Sequence, residues 1–126
     1  MPTSKKQPAP KYCQWEIWQV RWQHEDGTFK ERPALLLSSS AYNQTHDDLW
    51  FAKISSVEHN QPFRLELSPA DPSFRQTGLT KRCFIYLANA RKINKSAIGQ
   101  QRGRLGLLSA LLIGALLKQA IKFEMP

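Results

Sequence analysis

A leucine- and alanine-rich segment near the C-terminus, LGLLSALLIGALLKQAI at positions 105–121, constrains the fold more than any other part of the chain. Its composition and spacing predict a helix. Its uncharged part ends before Lys118 and is shorter than the roughly 20 apolar residues that span a bilayer. The apolar residues occupy more than one side, with Leu105, Leu108, Leu112, Ala115 and Leu116 on one and Leu107, Leu111, Ile113 and Leu117 partly elsewhere. Packing on the domain together with a subunit contact would bury both.

Short strand-like segments separated by turn signals precede this helix. Residues 15–38 predict a β-hairpin, because two runs rich in aromatic, β-branched and leucine residues flank the turn dipeptide Asp26-Gly27. Residues 49–54, 63–67 and 83–86 predict further strands, 90–93 a short edge strand, and 39–48 a polar loop. The pattern predicts a mainly β fold with a C-terminal α-helix, in the form of a small barrel.

The ends of the chain and its two cysteines indicate the compartment. Residues 1–12 contain lysines but no apolar core, so we expect a disordered basic tail and no secretory signal, followed by one domain over residues 13–126. Cys13 and Cys83 lie far apart without a CxxC motif or a Cys/His cluster. They therefore indicate neither a disulfide framework nor a zinc site, and we expect inert thiols in a cytoplasmic protein.

The positive charge is concentrated in the second half of the chain. The net charge is +8, and residues 72–126 contain ten Lys or Arg residues against one acid, Glu124. A long stretch of cations without an intervening carboxylate is typical of a surface that binds polyanions. A basic solvated face without a partner is the alternative reading.

The stretch FKERPALLLS at positions 29–38 places an arginine at the start of a strand that should be buried. A planar guanidinium donates two hydrogen bonds to phosphate and remains charged at any working pH. Pro33 fixes its own φ angle and biases Arg32 toward an extended conformation, which would hold the side chain at the rim. Arg32 is therefore a candidate phosphate ligand, although a solvated arginine at a loop end would give the same local pattern.

Five motifs in a fixed order resemble the MazF/PemK/Kid toxins of bacterial toxin–antitoxin systems. They are EIWQV at 16–20, RPALLLS at 32–38, KISS at 53–56, TGLTK at 77–81, and the segment from Ile98-Gly99 through Gly103-Arg104-Leu105 into the last helix. The resemblance covers about residues 15–121. It implies an SH3-like β-barrel with a C-terminal helix, a homodimer, a cognate protein antitoxin, and cleavage of single-stranded RNA that needs neither metal nor cofactor.

The resemblance also implies roles for particular residues. Arg32 would stabilise the phosphoryl charge, and Ser55 lies where the family commonly places a hydroxyl, usually of threonine, that contacts the scissile phosphate. Cys83 occupies a position where the Kid branch has an aspartate, so the proton acceptor is left open. Histidine exchanges protons near neutral pH, and we nominate His24, in the loop before Arg32, while His46 and His59 are expected to be ordinary loop residues. The expected RNA-binding residues are Ser56, Phe74, Arg75, Thr77, Lys81 and Arg82.

Aromatic side chains supply a further way to bind RNA, since unpaired bases stack on aromatic rings. Trp50, Phe51, Phe74 and Tyr86 are the candidates. Trp50 and Phe51 should point to opposite faces of their strand, so at least one is expected in the core.

Two other functions fit the same sequence. CcdB-like toxins use the same architecture to bind gyrase without catalysis, and a noncatalytic RNA-binding module would account for the basic half alone. Gyrase inhibition without RNA cleavage, or salt-sensitive RNA binding with the RNA left intact, would identify them.

Overall fold

The computed structural model describes residues 11–124, with side chains up to residue 120. The first ten residues of the expected tail lie outside this range. Six strands and two α-helices form the fold: β1 Glu16–Gln23, β2 Phe29–Leu36, α1 Ser40–Thr45, β3 Asp48–Ser55, β4 Arg64–Leu67, β5 Cys83–Asn94, β6 Ile98–Arg104 and α2 Leu107–Glu124. Single-turn 3-10 helices lie at Phe74–Thr77 and Lys95–Ala97.

The strands form one antiparallel sheet in the order β4-β5-β3-β2-β1-β6. The mainly β fold with a C-terminal helix is confirmed, and the sheet is open and does not close into a complete barrel. The 3-10 helix 74–77 packs on β6 and α2 packs on β4, so other elements cover the two edges that a barrel would join. With only four residues, β4 also offers a short edge.

Alternate residues of the strands enter two separate cores. The first core lies under α2 and is formed by one set of strand residues, including Ile17, Leu35 and Ile54, with Ile113 of α2. The second core takes neighbouring residues of the same strands, including Trp18 and Ala34. Side chains alternate across a strand, so the two cores lie on opposite faces of the sheet. Both faces are therefore apolar over much of their length.

The helix α2 buries one of its two apolar sides. Ile113 is fully buried, and Ala110, Leu116 and Leu117 pack against the first core. The opposite side is exposed: Leu107, Leu108, Leu111 and Leu112 have exposed fractions of 79%, 68%, 64% and 48%. The helix is therefore apolar on two sides, as predicted, although Leu108 and Leu112 lie on the exposed side and not with Leu116. Burial of the second side by a subunit contact stays a prediction. None of the helices within residues 11–124 combines the length and apolarity that crossing a membrane requires.

Three local predictions differ from the structure. The polar loop 39–48 contains α1, whose first turn is capped by the Ser39 hydroxyl, which accepts a hydrogen bond from the Tyr42 amide. The expected edge strand 90–93 is the end of the long central strand β5, which pairs with both β3 and β4. The strand β6 was not predicted, because its sequence IGQQRGR has no apolar alternation. The other strands and the hairpin lie where the sequence predicted them.

Candidate nucleic-acid interface

Three cationic side chains come together on three adjacent strands. Arg32 lies on β2, Lys53 on β3 and Arg91 on β5. Lys53 pairs with Ala34, two residues from Arg32, and is itself partly buried. Burial lowers the pKa of Lys53, and the positive charges of Arg32 and Arg91 lower it further, while Glu25 opposes the shift. Arg32 and Arg91 therefore both lie close enough to Lys53 for their charges to act on it.

A cavity of about 370 Å³ opens beside these cations. The hairpin turn between β1 and β2 forms one wall, and β3 and β5 form the other. The Arg91 guanidinium joins the two walls, because it donates a hydrogen bond to the Gln23 carbonyl at 2.8 Å and lies 4.2 Å from the centre of the Trp22 ring. The lining residues are Trp22, Gln23, His24, Glu25, Asp26, Lys53, Asn89 and Arg91.

The hairpin turn fixes His24 at this cavity. The His24 amide donates to the Thr28 carbonyl at 2.7 Å, and the Gly27 amide donates to the His24 carbonyl at 3.0 Å. Gly27 has a φ of 87°, a conformation that glycine adopts without strain. The Asp26 carboxylate accepts hydrogen bonds from the hydroxyl and the amide of Thr28, and these bonds lower the pKa of Asp26. The turn is thus held by its own hydrogen bonds, which leaves the imidazole for another partner.

Two buried side-chain nitrogen atoms, one of them at the cavity, have no hydrogen-bond partner among the described residues. They are Nε2 of His24 and Nε of Arg32. Buried polar atoms are nearly always satisfied, so each of these nitrogens is available to bond with water or with a ligand. Both belong to residues that the sequence nominated for catalysis.

Ser55 lies at the end of β3, opposite Phe84 of β5. Its side chain is buried, and its Oγ atom accepts a hydrogen bond from the Val57 amide at 3.2 Å, so the hydroxyl proton can still be donated. Ser56 is exposed. The Tyr86 hydroxyl donates to the Val57 carbonyl and accepts from the His59 amide, both at 2.7 Å. Tyr86 therefore holds the loop that begins next to Ser55.

Arg82 lies against the Phe84 ring, which faces Ser55 across the strand pair, but its charge is already compensated. Its guanidinium donates to the Glu66 carboxylate at 2.8 and 3.2 Å and lies 3.8 Å from Glu58. The hydrogen bond from Arg82 lowers the pKa of Glu66. RNA would have to compete with these carboxylates for Arg82.

Other residues expected to bind RNA lie by the first core, away from the three cations. Thr77 is buried, and its hydroxyl donates to the Phe74 carbonyl at 2.6 Å and accepts from the Leu79 amide at 3.1 Å. Phe74 packs against the same core, whereas Arg75 is exposed. Lys81 is exposed and lies near Cys83, whose pKa is raised by burial. Thr77 therefore stabilises its turn and offers no surface to RNA.

Some of the aromatic candidates are buried and others are exposed. Phe51 and Tyr86 are fully buried, so neither ring is open to a base, and the prediction that Trp50 or Phe51 is in the core is confirmed. Trp50 is exposed, and the Lys92 amine lies over its ring, 5.5 Å from the ring centre. Phe29 is half-exposed, with the Arg21 guanidinium 5.0 Å from its centre. These exposed rings lie on the hairpin and on β3.

The sequence reasoning missed two of the three converging cations as site residues. Arg91 belongs to the run of cations without carboxylates, but nothing local placed it near Arg32. Lys53 interrupts the apolar strand DLWFAKIS, and a charged residue among buried neighbours was the available signal.

Comparisons with known proteins identify a family for the chain. A model of the PemK-like, MazF-like toxins of type II toxin–antitoxin systems matches residues 13–122. A solved mycobacterial endoribonuclease in complex with its cognate antitoxin is 16% identical, with a TM-score of 0.70 over 91% of this chain and 99% of that chain. The toxin MazF-mt6 of Mycobacterium tuberculosis is 17% identical, with a TM-score of 0.67 over 85% of this chain and 96% of that chain. MazF of Deinococcus radiodurans is 17% identical, with a TM-score of 0.66 over 88% of this chain and 96% of that chain. No curated protein sequence gives a significant match. At these identities the solved structures show a shared fold.

Proposed function

Because the chain belongs to the family of PemK-like, MazF-like toxins of type II toxin–antitoxin systems, we propose that it is a sequence-selective endoribonuclease. It cuts single-stranded RNA, chiefly mRNA in the cytoplasm, without a metal ion, and so inhibits translation and growth. The observation that carries the proposal is the group of cations around Arg32 beside a cavity lined by His24. Mycobacterial proteins with the same fold are endoribonucleases, which supports this assignment.

The proposed reaction is an internal transfer in which the ribose 2′-oxygen attacks the adjacent phosphorus and the bond to the 5′-oxygen breaks. His24 accepts the proton of the 2′-hydroxyl through its Nε2 atom, which is buried without a partner in the described structure. Arg32 donates hydrogen bonds to the phosphoryl oxygens as negative charge develops there. The Ser55 hydroxyl donates to the same phosphate and positions it. The products are a 2′,3′-cyclic phosphate and a 5′-hydroxyl end, because the leaving 5′-oxygen takes a proton from solvent water.

The exposed apolar side of α2 supplies the proposed dimer contact. Four leucines on this side are exposed in the single chain, and contiguous apolar surface of this kind marks a protein interface. We expect wild type to sediment as a dimer, and Leu108→Lys with Leu111→Lys to yield a folded monomer, because both side chains lie on the exposed side. A monomeric wild-type protein would contradict the assignment.

A cognate antitoxin is the proposed protein partner. Its acidic segment would occupy the cations that bind RNA and block the site by competition. One solved structure of the same fold contains a cognate antitoxin, which supports the pairing. Adding the antitoxin should therefore prevent both the binding of RNA and its cleavage.

The test is incubation of purified protein with a long single-stranded RNA in EDTA, followed by mapping of fragment ends. We expect cuts at recurrent sites, and a rate roughly 10²- to 10³-fold lower in Arg32→Ala, the effect of removing one preorganised donor. Arg21→Ala removes the same charge from an exposed position on β1 and should cleave normally. Cleavage by a folded Arg32→Ala protein at the wild-type rate would refute the role of Arg32. Intact RNA with wild type would instead favour RNA binding or gyrase inhibition.

A further inference from the structure

The chain compensates some of its cations and leaves others without carboxylate partners. Arg64 and Arg82 form ion pairs with Glu58 and Glu66. Arg32, Lys53 and Arg91 form none with any residue in the range 11–120. Glu25 is the one acid whose charge acts on Lys53, against two arginines.

Holding three cations together without an anion destabilises the folded protein, and burial of Lys53 adds to this cost. The charges that face Lys53 come from three elements: Arg32 on β2, Arg91 on β5 and Glu25 in the hairpin turn. An anion bound among them would remove the repulsion. The arrangement is therefore that of an anion site which the folded chain does not fill with its own carboxylates.

The adjacent cavity sets the size of the anion. Its volume of about 370 Å³ falls at the lower end of small-molecule sites, which suits a phosphate with part of its nucleotide. Lys53 and Arg91 line the cavity from two strands, and the half-buried Asn89 amide adds polar surface for a sugar or base. A free carboxylate would leave most of this space empty.

We propose that Lys53 and Arg91 bind a backbone phosphate of the RNA strand in this cavity, next to the phosphodiester held by Arg32. The inference rests on the proposed function, since it assumes RNA as the ligand. Lys53 is a compact point charge on a flexible stem, so it reaches a phosphate without the planar geometry that an arginine needs. Bound phosphate favours the protonated amine, so affinity should fall as alkaline pH removes that proton.

The test measures binding of a 2′-O-methyl single-stranded RNA, which cannot be cleaved, over a series of salt concentrations. Removing one phosphate contact should lower the slope of log affinity against log salt by about 0.7. We expect this reduction in Lys53→Met and no reduction in Lys53→Arg, which keeps the charge. The matched control is Lys92→Met, because Lys92 is an exposed neighbour on β5 that lies over Trp50. The control should keep the wild-type slope.

A pH series provides a readout that a structural role would not change. Affinity of the wild type should decrease at alkaline pH, and Lys53→Arg should lose most of that decrease, because arginine stays protonated. Equal slopes in Lys53→Met and Lys92→Met, or an unchanged pH profile in Lys53→Arg, would overturn the inference.

Cleavage of the matching unmodified RNA separates this inference from the proposed function. If Lys53→Met shows the expected reduction in salt slope but wild type cleaves no RNA, the phosphate site is supported and the nuclease function is refuted. Cleavage by wild type with unchanged binding in Lys53→Met would do the reverse. A wild-type protein that binds no RNA at all would refute both.

Discussion

Replacing Tyr86 by phenylalanine tests whether one buried hydroxyl holds the loop next to Ser55. The Tyr86 side chain is fully buried, and its hydroxyl bridges the Val57 carbonyl and the His59 amide at 2.7 Å each. Phenylalanine keeps the ring and its packing but removes both hydrogen bonds. With a net value of about 1 kcal/mol for each bond, Tyr86→Phe should lower the free energy of unfolding by about 2 kcal/mol. For a domain of this size that corresponds to a fall in Tm of roughly 8 °C.

Urea unfolding followed by circular dichroism measures this loss, and an unchanged m value would show that the variant still unfolds as the same compact structure. Exchange of the His59 amide hydrogen should also accelerate, because this amide donates to the lost hydroxyl. Tyr42→Phe is the control, since the Tyr42 ring is stacked on His46 and its hydroxyl has no hydrogen-bond partner in the described part of the chain. A Tyr86→Phe stability within about 0.5 kcal/mol of wild type would refute the reasoning, because water would then satisfy both loop groups.

Three further perturbations probe other parts of the fold. Ile113→Ala should lower the free energy of unfolding by about 2–4 kcal/mol at any protein concentration, because Ile113 is fully buried. Leu111→Ala should change only the part of the stability that depends on protein concentration, because Leu111 is exposed in the single chain. Chemical denaturation at two protein concentrations measures both effects. Gly78→Ala should reduce Tm, because φ is 71° and the added methyl group would lie 2.0 Å from a carbonyl oxygen of β6. Arg82→Ala should be less stable than wild type at neutral pH. Because Arg82 lowers the pKa of Glu66, this difference should shrink as pH falls below the ordinary value of 4.5, and a pH-independent difference in urea unfolding would contradict the mechanism.

Local patterns in the sequence were sufficient to predict much of the fold. Alternation and turn residues predicted the β1–β2 hairpin, β3 and β4, and leucine spacing predicted α2, because these signals depend on neighbours a few residues away. The ordered motifs predicted the family, and the match over residues 13–122 confirms it. The proposed roles of Arg32, Ser55 and His24 remain predictions.

What the tertiary structure alone decided concerns neighbours that are distant in sequence. Lys53 meets Arg91 because β3 pairs with β5, and no local pattern encodes that pairing. Likewise the ion pair with Glu66 removes Arg82 from the uncompensated charges, although both are ordinary surface residues in the sequence. Local composition gives the type and spacing of side chains, whereas the charge and water around each one depend on which strands become adjacent. The basic half of the sequence therefore predicted a polyanion partner, and the sheet order placed Arg91 of that half beside Arg32 and Lys53 of the first half.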